Sequence, residues 1–158
     1  MILKKSKGNV SEAEGRFLFF KEGKGYVFRA NTSFHLKDET SFRQSFLGQR
    51  AFSVYDDQGR NVGDLLMHAR RRVSVTLYGE LGNISEEIKL FEYALFPKRE
   101  FVFLNAKYKV DPKRDSLDIQ SESGQFESAV ALVGCLYLAF LSPWRGDESA
   151  VDDADGGD

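Results

Sequence analysis

The chain has 158 residues, 42% of them hydrophobic and 29% charged, with 3 Pro, a make-up that excludes a disordered or collagen-like chain and fits one globular domain. Its 22 Lys+Arg against 24 Asp+Glu give a net charge of −2, without the positive excess of general nucleic-acid binders, so no nucleic-acid partner is expected. The balance is uneven: residues 145–158 hold one Arg and six acids, and taking that −5 from the whole leaves +3 on residues 1–144.

Residues 1–7 lack the apolar stretch of a secretory signal, and the single Cys135 cannot form an internal disulfide. A reducing cytoplasm is the expected setting. The 14 Phe and 6 Tyr fall in short segments punctuated by Gly, Asn and Asp, the pattern of strands and turns. Residues 16–20 and 25–30 flank Lys21-Glu22-Gly23-Lys24, whose glycine supplies the positive φ of a tight connection, and predict a first hairpin. A second is predicted from residues 51–55 and 62–67 around the turn-rich stretch Asp56-Asp57-Gln58-Gly59-Arg60-Asn61.

After this hairpin comes the densest positive feature, Arg70-Arg71-Arg72, with His68 beside it at a strand connection. Guanidinium forks match phosphate oxygens, and a basic residue near an anionic lipid surface contributes about 1 kcal/mol. Arg70, Arg71 and Arg72 are therefore candidate anion or phospholipid contacts, although charge runs are more often plain solvated surface. Lys98-Arg99, after Pro97, joins them as a candidate, and Lys113-Arg114 is a further pair, provided folding brings these loops to one end.

Val73, Val75 and Leu77 alternate with Ser74 and Thr76, as a half-buried strand requires. From residue 88 to 96 the phase slips, with Ile88 and Leu90 on one parity and Phe91, Tyr93 and Leu95 on the other, which a bulge or sharp bend would reconcile. Residues 101–104, 108–110 and 117–119 add short strands, the last two joined by the polar turn 111–115. The total is roughly ten strands.

Residues 129–141 are then an unbroken apolar or small run that Ser128 can cap and Ser142-Pro143 stops, predicting a helix over about 125–141. A helix without a polar face must be enclosed by protein or lipid, and its apolar run is short of the roughly 20 residues that span a bilayer. Enclosure by the chain's own sheet is expected, with Ala131, Cys135 and Ala139 forming a groove for a strand wall. Trp144 is read as plugging the mouth of that core, and residues 145–158 as an acidic disordered tail after a single domain, 1–144.

Chemistry finds little footing. His35 and His68 are far apart, Asp56-Asp57-Gln58-Gly59 fails as a calcium loop because Met67 stands where a bidentate Glu belongs, and no nucleophile elbow or phosphate-cradling loop occurs. No enzyme, metal or cofactor is expected.

Many short antiparallel strands closing on one apolar C-terminal helix resemble the tubby C-terminal-like superfamily, which includes tubby domains, phospholipid scramblases and the plant LURP-one-related proteins. The likeness rests on the strand, acidic-glycine turn and strand from Phe52 to Gly63, and on Leu117-Asp118-Ile119 leading to residues 126–144. It implies a mainly β fold, an antiparallel closed barrel of about ten to twelve strands wrapped around a C-terminal hydrophobic helix, with no catalytic centre and a link to membrane phospholipids or a protein partner. Two alternatives stand beside it: a small-molecule or lipid carrier barrel, which needs an empty lumen, and a membrane-tethered protein held by the helix.

Overall fold

The structure is a computed structural model that describes residues 1–69, 71–92, 96–122 and 124–143. Arg70, residues 93–95, the Trp144 plug and the acidic tail 145–158 lie outside the described residues.

The strands are short and almost all join neighbours in the chain. β1 (Ile2–Ser6) and β2 (Asn9–Glu12) form a hairpin, followed by β3 (Leu18–Glu22) and β4 (Gly25–Arg29), which are the first hairpin expected from the sequence, and by β5 (Ser33–Asp38). A single helical turn, α1 (Phe42–Phe46), leads into β6 (Gln49–Tyr55) and β7 (Asn61–His68), the second expected hairpin. β8 (Arg72–Leu77) and β9 (Ile84–Lys89) come next, then the two-residue strands β10 (Phe91–Glu92) and β11 (Phe96–Pro97). β12 (Glu100–Phe103), β13 (Ala106–Asp111) and β14 (Ser116–Ser121) complete the set.

Twelve of these strands form one antiparallel sheet in the order β12-β13-β14-β1-β2-β3-β4-β5-β6-β7-β8-β9. The N-terminal strand therefore pairs with the last one, Leu3 opposite Leu117, which joins the first strand to the last inside the sheet. Met1 reinforces that closure, its N-terminus donating to the Ile119 carbonyl at 3.0 Å and its own carbonyl accepting from Ile119 at 2.8 Å. The sheet curls into a nearly closed barrel. Among the described residues β9 and β12 approach each other without a ladder, and the β10–β11 hairpin ties them at one end, where the Lys98 N–H donates to the Leu90 carbonyl at 2.9 Å.

Alternation decides which side chains face in. Val73, Val75 and Leu77 are buried, as are Phe101 and Phe103, Ala106 and Tyr108, Leu117 and Ile119. The phase slip after Ile88 is neither a bulge nor a bend within one strand. β9 stops at Lys89 and Phe91 begins a strand of a separate two-stranded sheet, while Tyr93 and Leu95 lie outside the described residues.

The lumen is filled by the C-terminal helix, with two differences from the expected one. The α-helix, α2, runs over Glu127–Leu136, starting after Phe126 in a left-handed conformation rather than on a Ser128 cap, and residues Tyr137–Leu141 widen into a π-helical turn. Every residue from 129 to 136 is buried, Ala131 and Cys135 of the expected groove included, and the wall also comes close at Gly134. An added Cβ at Gly134 would lie 2.5 Å from Leu3 and 3.0 Å from Ile119, so only hydrogen fits there. The lower part of the helix packs on β1, β13 and β14. At the far end Phe140 stacks on Phe52, 5.4 Å between centroids, and meets Phe19 and Tyr26 edge-on, so opposite walls of the barrel grip the same rod. Full burial of each such Leu, Val or Phe contributes about 1.5–3 kcal/mol.

Candidate functional site

Strand register assembles the predicted basic residues at one end of the barrel. Gln49 pairs with His68, His68 with Arg72, and Arg72 with Lys89, forming one level across β6, β7, β8 and β9. The level continues through hydrogen bonds: Leu90 N–H donates to the Arg71 carbonyl at 2.6 Å, Lys98 N–H to the Leu90 carbonyl, and Val110 N–H to the Arg99 carbonyl at 2.9 Å. Arg71 and Lys98 are thus two strand spacings apart, about 10 Å along the rim. Folding brings Arg71, Arg72, Lys98 and Arg99 together, while Arg70 lies outside the described residues. Lys113 and Arg114, in the β13–β14 turn, border the same rim beyond Arg99.

Among them Arg71 and Arg72 are lightly engaged. Arg71 and Arg72 are exposed; Arg72 reaches Glu87 at 3.8 Å, a long contact between two exposed groups of a kind worth little in water. His68 is half-buried against the Ser74 hydroxyl at 3.1 Å, and burial together with the charge of Arg72 lowers its pKa below the ordinary histidine value. At the opposite end two cations are tightly paired, while Arg29 stands exposed over the Phe20 ring. Arg16 pairs with Glu12 at 3.0 Å and Glu127 at 2.5 Å, and Arg60 pairs with Asp56 at 2.8 Å. Arg71 and Arg72 thus leave exposed positive charge on the rim where the helix ends.

The same rim carries apolar side chains in water, which the sequence reading missed. Phe42 is 90% exposed, Phe46 84% and Leu47 55%, all on or beside α1, and Phe96 on β11 is 63% exposed. Phe42 and Phe46 are four residues apart and share one face of the turn. The turn is held firmly: Ser41 accepts from Gln44 N–H while the Gln44 side chain accepts from Ser41 N–H, and Asp38 accepts from Thr40 N–H at 3.0 Å. Ser41-x-x-Gln44 is a legible capping box, so the turn could have been found from sequence; the exposure of its aromatics could not. α1 lies beside the basic turn, because an added Cβ on Gly48 would be 3.7 Å from the Ala69 side chain.

Between α1 and the helix end lies an open groove of about 790 Å³ lined by Asp38, Phe42, Arg50, Met67, Phe140 and Leu141. Arg50 sits 4.4 Å from the Phe140 ring centroid and 5.1 Å from that of Phe52, and pairs with Asp38 at 3.2 Å, covering the hydrophobic end of the core with a cation.

Among the described residues no other chemistry is gathered in a comparable way. Cys135 is fully enclosed, and burial pushes its thiol well above the ordinary value. Among the described residues no three His, Cys, Asp or Glu side chains are grouped to hold a metal ion. The lumen that a carried ligand would need is taken by α2, and no helix among the described residues is long and apolar enough to cross a membrane. Comparison of the chain with protein-family models, with curated proteins and with solved structures finds no match.

Proposed function

We propose that this protein is a non-enzymatic binding module that docks the helix-end rim of its barrel on an anionic phospholipid surface. Phe42, Phe46 and Phe96 enter the interfacial layer and Arg71, Arg72, Lys98 and Arg99 meet headgroup phosphates. The observation that carries the reading is the coincidence on one rim of exposed Phe42, Phe46 and Phe96 with the exposed guanidinium groups of Arg71 and Arg72. Apolar insertion and electrostatic attraction add in peripheral membrane binding, and neither alone holds a protein firmly. A rigid presentation suits this role, since the capped turn loses little conformational freedom on docking. The helix-threaded twelve-strand barrel supports placing the chain with the tubby C-terminal-like group, and a cytoplasmic setting facing an anionic leaflet belongs to the same proposal.

The experiment is sedimentation with phosphatidylcholine vesicles with or without phosphatidylserine, using the wild type, Phe42→Ser/Phe46→Ser and Arg71→Ser/Arg72→Ser/Lys98→Ser. The wild type pellets with the anionic vesicles. The triple variant loses affinity by roughly a hundredfold, from about 1 kcal/mol for each basic residue removed. Equal pelleting with neutral vesicles, or of the wild type and both variants, contradicts the proposal.

A further inference from the structure

The described chain ends at Pro143, two residues after Leu141 on the wall of the groove beside α1. The residues that follow carry Asp147, Glu148, Asp152, Asp153, Asp155 and Asp158, with Arg145 as the single opposing charge. In sequence this acidic segment follows the last described residue, Pro143, near the rim that carries Arg71 and Arg72. Met67, which shares the groove with Leu141, is four residues before Arg71.

We propose that residues 146–158 dock on the basic rim formed by Arg71, Arg72, Lys98 and Arg99 and compete there with anionic lipid. Reach is ample: thirteen residues extend up to about 40 Å, whereas Arg71 and Lys98 are only two strand spacings apart. Each exposed ion pair is weak, but a short tether holds its ligand at an effective concentration on the order of millimolar, so modest attraction suffices. On the rim Arg71 is exposed and Arg72 has only its long contact with Glu87, whereas Arg16 and Arg60 at the opposite end pair closely with Glu12, Glu127 and Asp56. Occupation by the tail lowers the fraction of rim open to lipid and weakens apparent affinity by that fraction. Ions in solution screen the contact beyond a Debye length of about 10 Å at 0.1 M salt, so it loosens as salt rises.

The docking contact stands on the rim and the exit point alone; the competition rests on the lipid reading above. The test compares the full wild-type chain with the full chain carrying Asp147→Asn, Glu148→Gln, Asp152→Asn, Asp153→Asn, Asp155→Asn and Asp158→Asn. Amide NMR spectra of both, without lipid and at low salt, are followed by sedimentation with the phosphatidylserine vesicles. The expected result is displaced amide signals around residues 71–73, 89–90 and 98–100 and unchanged ones at 56–60, with vesicle affinity raised about three- to tenfold in the neutralised chain. Rim amides that coincide in the two chains overturn the docking contact, even if both chains pellet and the lipid reading survives. Displaced rim amides with no vesicle binding by either chain uphold the contact and remove the lipid reading instead.

Discussion

The Tyr108 hydroxyl donates to the Val130 carbonyl at 2.6 Å inside the barrel, joining strand β13 to the first turn of the enclosed helix. That carbonyl is also the helix-ladder acceptor for Gly134 N–H, so removal of the phenol leaves it with a partner. Tyr108→Phe therefore costs only about 0.5–1.5 kcal/mol, read in urea as a lower midpoint with an unchanged slope. A change in slope would show that the bond holds the helix in the lumen rather than trimming its stability.

Gly134 and Leu3 test the fit of rod to wall. Gly134→Ala pushes a methyl into Leu3, which is fully buried, and destabilises by about 1–3 kcal/mol. Leu3→Ala leaves a cavity and costs about 2–5 kcal/mol. Because the two residues share one contact, the double variant is less destabilised than the two effects added together, and additive costs would deny the contact.

Acid should weaken the fold in a defined direction. Asp56 accepts from the Arg60 and Gln58 backbone N–H groups and pairs with the Arg60 side chain, which outweigh its burial and hold its pKa below the usual carboxylate value. Burial opposes ionisation of Glu12 and Asp38, but hydrogen bonds from Glu14 and Arg16 to the first, and from Thr40 and Arg50 to the second, bring both below the ordinary value as well. A depressed folded-state pKa means stability that is complete above the unfolded value and lost as pH falls through the folded one. Melting temperature is thus level near neutrality and drops below about pH 5, while the deficit of Asp56→Asn, largest at pH 7, shrinks toward acid. A deficit independent of pH contradicts the charge-based account.

Cys135 offers a probe of opening. Its enclosure and raised pKa leave almost no accessible thiolate, so a thiol reagent at pH 8 labels the native protein only as fast as the barrel opens and labels it immediately in denaturant. Prompt labelling of the native chain would mean that the helix is not enclosed.

The residues with strong local signals could be read before folding. Val73, Val75 and Leu77 announced their strand by alternation, Gly23 and the stretch around Gly59 their hairpins, and the run 129–141 its enclosure by having no polar face. β1 was obscure because Leu3 is its one fully buried residue among Lys4, Lys5 and Ser6; its place is set by pairing with β14, over a hundred residues away. The basic cluster Arg71-Arg72 was visible as composition, but its meeting with Lys98 and Arg99 depends on register across three strands. Nothing local in the sequence reveals that a capped turn faces Phe42 and Phe46 outward.

The most direct test of the docking face is amide NMR on nanodiscs containing phosphatidylserine and a lipid-anchored spin label, which broadens signals near the bilayer. The account predicts broadening at residues 42–47, 71–72 and 96–99 and sharp signals at 56–60 and 79–82 on the opposite end. Broadening of the opposite end, or uniform sharpness of the rim, would contradict it.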